Sequence, residues 1–241
     1  MMNRAIVLAG GDGELAKYEL PRQFTNVFDK PLLVYTLEGF QRHPQIDEIG
    51  VVCISGWQQI TRAYAKQFNI TKLSWIVTGG RTSQESIYQG IIHLRAFAEP
   101  DDIIVIHDGI RPLIDESVLT NVLLTAGKQG NAVSALPYTE QLFLINPKDV
   151  LTTKEYVFRD SVMKVLTPQA YRFGDLLSAY EEALSKGIGM DSDSYTDTMM
   201  TDLGYSLHFT AGSEKNIKIN SPDDLNLFKI YLHQEKDVWL K

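Results

Sequence analysis

A chain of 241 residues with 44% hydrophobic content can bury a full core, and its net charge of -7 excludes a general nucleic-acid or anionic-membrane surface. Any phosphate it binds must therefore meet a local cluster of cations. The single cysteine, Cys53, excludes an internal disulfide and a cysteine-based zinc site, and the chain shows neither a charged-then-apolar leader nor an apolar run of membrane-spanning length, so a cytoplasmic location is expected.

The first predicted element is an apolar strand at residues 4–9, and it ends in Gly10-Gly-Asp-Gly13. Glycines there let backbone N–H groups approach an anion that side chains would keep away. The loop closes at Pro21-Arg22, with the guanidinium returning toward the same phosphates. Two glycine-rich classes do not fit. Gly13 is followed by Glu14-Leu15, which lacks the lysine and hydroxyl of a P-loop. Gly11-Asp-Gly13-Glu-Leu-Ala16 lacks the third glycine of a dinucleotide fingerprint, which argues against an NAD-dependent dehydrogenase.

Further strands are expected at 49–54, 73–77, 102–107 and 132–136, alternating with helices near 31–42, 58–67, 83–95 and 115–127. The alternation predicts an α/β fold with a mostly parallel sheet. Runs such as Ile103-Ile-Val-Ile106, apolar on both faces, belong to strands covered by helices on both sides. Ligands of such sheets bind outside the carboxyl ends of the strands. Gly10–Gly13, Thr78-Gly-Gly80 and His107-Asp-Gly109 each follow a strand, so they should converge on that edge. Between 138 and 166 the pattern loosens into a hairpin-like arm whose exposed aliphatics suggest a partner subunit. A helix near 173–186, a polar loop at 187–194, a short helix near 196–203, a strand at 207–210 and a last helix capped by Ser221-Pro-Asp-Asp224 complete the chain.

Several side chains can carry chemistry. Asp108 at a strand end can hold Mg²⁺ while the metal bridges phosphate oxygens, and Arg111 can orient it; a structural ion pair is the alternative. Asp197 is a second carboxylate that could equally cap its helix. Lys218 alternates with Ile217 and Ile219 just before a helix and can reach phosphates as a point charge, or stand on a solvated face. Arg159 ends the arm as a surface cation or one that enters a neighbouring subunit's site. His43, His93, His208 and His233 have no ligand spacing, and Ser86 has no nucleophile's partners.

Taken together, Leu8-Ala-Gly-Gly-Asp-Gly13, Pro21-Arg-Gln-Phe24, Gly79-Gly80 with Gln84-Glu-Ser86, His107-Asp-Gly-Ile-Arg-Pro112, Leu166-Thr-Pro-Gln169, Thr196-Asp197 and Asn216-Ile-Lys-Ile219 resemble the cytidylyltransferases of sugar-alcohol phosphates. That family includes 2-C-methyl-D-erythritol 4-phosphate and ribitol-5-phosphate cytidylyltransferases. The resemblance implies a Rossmann-like nucleotidyltransferase fold, a single domain over 1–241, and a homodimer joined by the arm. It also implies attack of an alditol phosphate on the α-phosphorus of CTP, with Mg²⁺ present and pyrophosphate released. By position, Arg22 and Lys218 would neutralise the triphosphate, and Asp108 would serve metal and ribose. Gly79, Gly80 and Ser86 would contact cytosine, and Leu8, Ala9, Gly10, Gly11, Gly13 and Arg111 would complete the nucleotide site. Thr139, Asp197 and the partner subunit's Arg159 would face the alditol phosphate. The chain departs from the family pattern at Leu15 and Ser83, where arginine is usual, at Arg22, where lysine is usual, and at Glu140, where aspartate is usual. Arg81 and Lys17 are the nearby cations that could substitute. The two missing arginines motivate a second reading, a CTP-binding homologue with impaired catalysis and a regulatory or scaffold role.

Overall fold

The computed structural model describes residues 1–11, 20–148, 150–189 and 195–238, with backbone alone for 235–238. In chain order the strands are β1 (Asn3–Ala9), β2 (Asn26–Val27), β3 (Lys30–Pro31), β4 (Glu48–Cys53), β5 (Leu73–Thr78), β6 (Ile103–Asp108), β7 (Asn131–Pro137), β8 (Leu142–Leu144), β9 (Glu155–Val157), β10 (Met163–Arg172) and β11 (Phe209–Ala211). The helices are α1 (Leu32–Arg42), α2 (Gln58–Gln67), α3 (Ser83–Leu94), α4 (Glu116–Gln129), α5 (Phe173–Lys186), α6 (Thr196–Asp202) and α7 (Pro222–Val238).

Seven strands form the main sheet in the order β11-β7-β10-β6-β1-β4-β5. β1 pairs parallel with both β4 and β6, β4 with β5, and β7 with β11, while β10 runs antiparallel between β6 and β7. The mostly parallel sheet is thus as expected. Successive side chains of a strand point to opposite faces, and both faces of this sheet are apolar. Ala5, Val7, Val51, Ile103 and Val105 join one buried cluster, and Ile6, Val52, Ile104 and Ile106 join another. Leu37 and Phe40 of α1 and Leu119 and Val122 of α4 close the first face, whereas Ile87 and Ile91 of α3 and Leu176 and Tyr180 of α5 close the second. Complete burial of each such Val, Ile or Leu contributes about 1.5–3 kcal/mol, so β6 anchors both layers.

Two segments depart from the sequence reading. The stretch expected to be an arm up to residue 166 contains the start of β10, the longest strand, which returns to the centre of the sheet. Pro168 cannot donate to a ladder, and the pairing with β7 shifts register between Val165 and Gln169. A proline inside the run therefore masked a central strand. What remains of the expected arm is a separate antiparallel ribbon of β8 and β9, in register Leu142↔Val157, Phe143↔Tyr156 and Leu144↔Glu155. Phe143, Tyr156 and Phe158 are exposed on it. The polar loop expected at 187–194 is described only as far as residue 189.

A third, smaller cluster fixes the C-terminal segment. Val27, Leu32, Ile219 and Phe228 are buried together, the Tyr35 and Phe228 rings meet edge to face at 5.1 Å, and Ile219 N–H donates to Ile110 O at 2.9 Å. The expected cap of α7 is present: Ser221 Oγ accepts from Asp224 N–H at 3.2 Å, and Asp224 Oδ2 accepts from Ser221 N–H at 2.8 Å.

Candidate active site

At the carboxyl ends of β1, β5 and β6 the structure opens into a cavity of about 610 Å³. Leu8, Ala9, Gly10, Gly11, Arg22, Gly79, Gly80, Ser86, Asp108 and Lys218 all line it, together with Gln23, Ser55, Arg81, Thr82, Ser83 and Asn220. The segments that the sequence places after separate strands do converge. Gly13, Leu15 and Lys17 lie outside the described residues.

Gly10 and Gly79 pack toward each other around Ser86, and side chains at Gly79 and Gly80 would collide, whereas Gly11 borders open space. A Cβ on Gly79 would stand 2.8 Å from Ser86 Oγ and 3.5 Å from the Gly10 Cα, so only glycine fits there. Ser86 Oγ in turn accepts from Gly80 N–H at 3.1 Å, which pins the second turn to the start of α3. Thr82 Oγ1 caps that helix by accepting from Glu85 N–H at 3.1 Å. The first turn is held by Gln23, whose buried amide donates to Ala9 O at 2.9 Å and Gly11 O at 3.0 Å. Phe24 next to it stacks on Trp57 with ring centroids 4.4 Å apart. Gln23 is a supporting residue that the sequence marked only as part of a motif; its role depends on a contact across the loop that spacing does not reveal.

Charge gathers on the opposite wall. Asp108 Oδ2 lies 2.9 Å from Arg111 Nε and 3.3 Å from Lys218 Nζ. Burial pushes the Asp108 carboxyl up, but Lys218 and Arg111 outweigh it and hold the group below the ordinary carboxylate range. Arg111 also donates through Nη1 to Asn216 O at 2.8 Å, so it braces Asp108 against the C-terminal segment and does not line the cavity. Thr167 Oγ1 accepts from Asp108 N–H at 3.2 Å, and Asn216 donates to Thr167 O. These two supports were not singled out by role in the sequence, because both belong to strands or loops remote along the chain. Lys218 sits between Ile217 and Ile219, which pack into the third cluster, and the alternation turns the ammonium to the cavity. Arg22 donates through Nη1 to Asn220 Oδ1 at 3.1 Å, so both cations stand on the same rim.

His107, one residue before Asp108, faces the other side of the sheet. Its Nε2 lies 3.0 Å from Arg111 O, its Nδ1 is buried without a partner, and its ring meets Phe40 at 5.3 Å. Burial pushes its pKa down to about 4, so the imidazole is neutral near pH 7.

The remaining predicted residues are not gathered at this cavity. Asp197 is buried on α6, where Oδ2 accepts from Gln169 Nε2 at 3.0 Å and Oδ1 from Thr198 N–H at 2.8 Å. Thr139 is exposed after β7. Arg159 stands at the end of the β8–β9 ribbon, 61% exposed, with Asp160 at 3.7 Å. Of the two substitutes proposed for missing arginines, Arg81 lines the rim beside Ser83 and pairs with Glu85 at 3.2 Å.

The chain matches the family model for 2-C-methyl-D-erythritol 4-phosphate cytidylyltransferase (IspD) over residues 3–234. It belongs to the IspD family. Within the wider set of IspD relatives, a ribitol-5-phosphate cytidylyltransferase of Lacticaseibacillus paracasei is 48% identical over 235 residues, covering 98% of this chain and 100% of its own. A 2-C-methyl-D-erythritol 4-phosphate cytidylyltransferase of Syntrophus aciditrophicus is 33% identical over 233 residues, covering 96% of each chain. The IspD fold is shared with the crystal structure of 4-diphosphocytidyl-2C-methyl-D-erythritol synthase from Anaerococcus prevotii, at a TM-score of 0.79 and 20% identity over 96% of each chain. As an IspD-family member the protein is a cytidylyltransferase, a class of nucleotidyltransferase.

Proposed function

We propose that this cytidylyltransferase acts in the cytoplasm as one domain, as a homodimer, and transfers CMP from CTP to ribitol 5-phosphate. The observation that carries the choice of acceptor is the 48% full-length identity to a ribitol-5-phosphate cytidylyltransferase, against 33% to the methylerythritol relative. An oxygen of the acceptor's phosphate forms the new bond to the α-phosphorus of CTP, and the bond from that phosphorus to the β-phosphate bridge breaks, releasing pyrophosphate. The acceptor phosphate is already ionised near neutral pH, so no general base is needed. The task is to position two anions and offset the charge between them.

In this reading the turn at Gly10 and Gly11 offers amides to the phosphates, with Arg22 and Lys218 as counter-charges. Gly79, Gly80 and Ser86 receive cytosine, whose small ring suits a tight backbone turn. Asp108 contacts ribose and, with the nucleotide's phosphates, Mg²⁺. The donor chemistry suits that ion: Asp108 lines the cavity as a carboxylate held below the ordinary range, and Mg²⁺ commonly takes one or two carboxylates plus substrate phosphates. Bound there, it would supply charge neutralisation on the phosphate oxygens. Chelation with EDTA should abolish turnover, and added Mg²⁺ should restore it.

The acceptor would be read by Thr139, Asp197 and the partner subunit's Arg159, with the β8–β9 ribbon joining the two copies. The exposed rings of Phe143, Tyr156 and Phe158 on that ribbon support this assembly. The test is pyrophosphate release from CTP with ribitol 5-phosphate and 2-C-methyl-D-erythritol 4-phosphate side by side. A kcat/KM at least about tenfold higher for ribitol 5-phosphate is expected, equivalent to about 1.4 kcal/mol of transition-state discrimination. Equal use of both, or preference for the methylerythritol compound, would overturn the assignment of acceptor.

A further inference from the structure

The last helix reaches the active site through one carboxylate. Asp224 Oδ2 accepts from Ser221 N–H and from the Ser221 hydroxyl, both at 2.8 Å, and from Asn220 N–H at 2.9 Å. The bonds to Ser221 belong to the reciprocal cap of α7. The bond to Asn220 lies one residue outside that cap, and it orients a residue that lines the cavity. Asn220 passes the constraint on. Its Oδ1 accepts from Arg22 Nη1 at 3.1 Å, and its backbone continues the segment that carries Lys218 two residues earlier.

A guanidinium is a planar fork, so spending one N–H on Asn220 sets its plane and leaves the other donors for phosphate oxygens. Partial burial pushes the Asp224 carboxyl up, yet the donors from Ser221 and Asn220 and the nearby Arg22 charge hold it below its ordinary value. It is therefore ionised while the site works.

We propose that Asp224, acting through Asn220, is a positioning residue that holds Arg22 and Lys218 ready for a polyphosphate. The proposal deepens the cytidylyl-transfer reading of the cavity and rests on it. The cap alone would explain Asp224 as a helix-stabilising group, and the experiment separates the two roles. Inorganic tripolyphosphate is titrated calorimetrically into the unmodified protein and into Asp224→Ala, Asp224→Asn, Asn220→Ala and Ser221→Ala, each followed by a thermal melt, with KM for CTP and kcat measured alongside.

Freeing two rotamer-rich side chains corresponds to about a tenfold loss of affinity. Asp224→Ala and Asn220→Ala should each raise the Kd for tripolyphosphate and the KM for CTP by about that factor, with kcat changing less. Asp224→Asn, which keeps an acceptor oxygen, should restore most of the affinity. Ser221→Ala removes the other half of the cap; it should lower Tm as Asp224→Ala does and leave the tripolyphosphate Kd unchanged. Equal weakening by Ser221→Ala and Asp224→Ala overturns the proposal, as does unmodified affinity in Asn220→Ala or no tripolyphosphate binding by the unmodified protein. Should Asp224→Ala fail to fold, Asp224→Ser, which keeps a hydroxyl in the first turn of α7 but no carboxylate, takes its place with the same expected rise in Kd. If the affinity series behaves as expected while CTP is not turned over with any alditol phosphate, the reaction assignment falls and the positioning role stands.

Discussion

At the scale of single residues, Asp108 is the point on which the charge of the site balances. One carboxylate lies within 3.3 Å of both Lys218 and Arg111, so the cations are held in place before any anion arrives. Arg111 has a second anchor in Asn216 O, whereas Lys218, a third exposed, faces the cavity. In the proposed reaction Lys218, paired among the described residues with Asp108, is the one of these two cations that meets the charge developing on the α-phosphate. Lys218→Ala should lower kcat about 10²–10³-fold with the fold retained, as loss of one transition-state donor does; steady-state rates and a circular dichroism spectrum check it. His107 sits beside this group and has the opposite sensitivity. Its folded pKa is about 4 against an ordinary 6.5, so the unfolded chain binds the extra proton between those values. Its contribution to stability is whole above about pH 6.5 and is lost as pH falls toward 4, by up to about 3 kcal/mol. Urea melts at pH 7 and pH 5 should show His107→Gln losing less stability across that interval than the unmodified protein.

At the scale of elements, what could be read in advance divides by whether a segment announces its partners. Helices α2 and α5 fall where the periodicity of the sequence sets them, because an apolar stripe of period 3.6 is a local property. The glycine turns after β1, β5 and β6 were legible for a similar reason: each follows an apolar run, and parallel topology gathers such ends on one edge. β10 was not legible, since Pro168 breaks the local signal and only its neighbours β6 and β7 make a strand of it. Gln23, Thr167 and Asn216 were marked only as members of motifs, and their roles, like that of Asn220, were not legible for a related reason, as each matters through a hydrogen bond to a segment distant along the chain. The β8–β9 ribbon was legible as a hairpin-like arm, though over a shorter span than 138–166. If the partner subunit's Arg159 completes each site, a mixed dimer of Arg159→Glu and Lys218→Ala chains contains one intact site. Co-expressing the two inactive variants should then recover up to about half the activity per mixed dimer; no recovery would place Arg159 in its own chain's site or outside the chemistry.

At the scale of the whole molecule, the two ends of the sheet have different tasks. The carboxyl edge holds the cavity, and the amino edge holds a buried ionic knot. Arg4 pairs there with Glu48 and, through Nε at 3.2 Å, with Asp102, whose other oxygen accepts from Met2 N–H at 2.6 Å. Asp102 is 1% exposed, so removing it leaves the Arg4 guanidinium short of a partner in the interior. Asp102→Ala should cost about 3–5 kcal/mol of stability, read by denaturant melts, and leave kcat below the melting range near that of the unmodified protein. A comparable fall in kcat at full folding would show that the two edges are coupled.

The strand order has a further consequence for how the protein comes into being. Residues 5–11 supply the first turn and residues 216–220 the last wall, while β11 closes the sheet only at Phe209–Ala211. A ribosome has thus made nine-tenths of the chain, and nearly all of the hydrophobic interior, before the lysine that lines the cavity exists. A premature stop between Ala211 and Lys218 leaves every strand of the main sheet in the chain and removes the lysine, so such a product should be silent toward nucleotide chemistry.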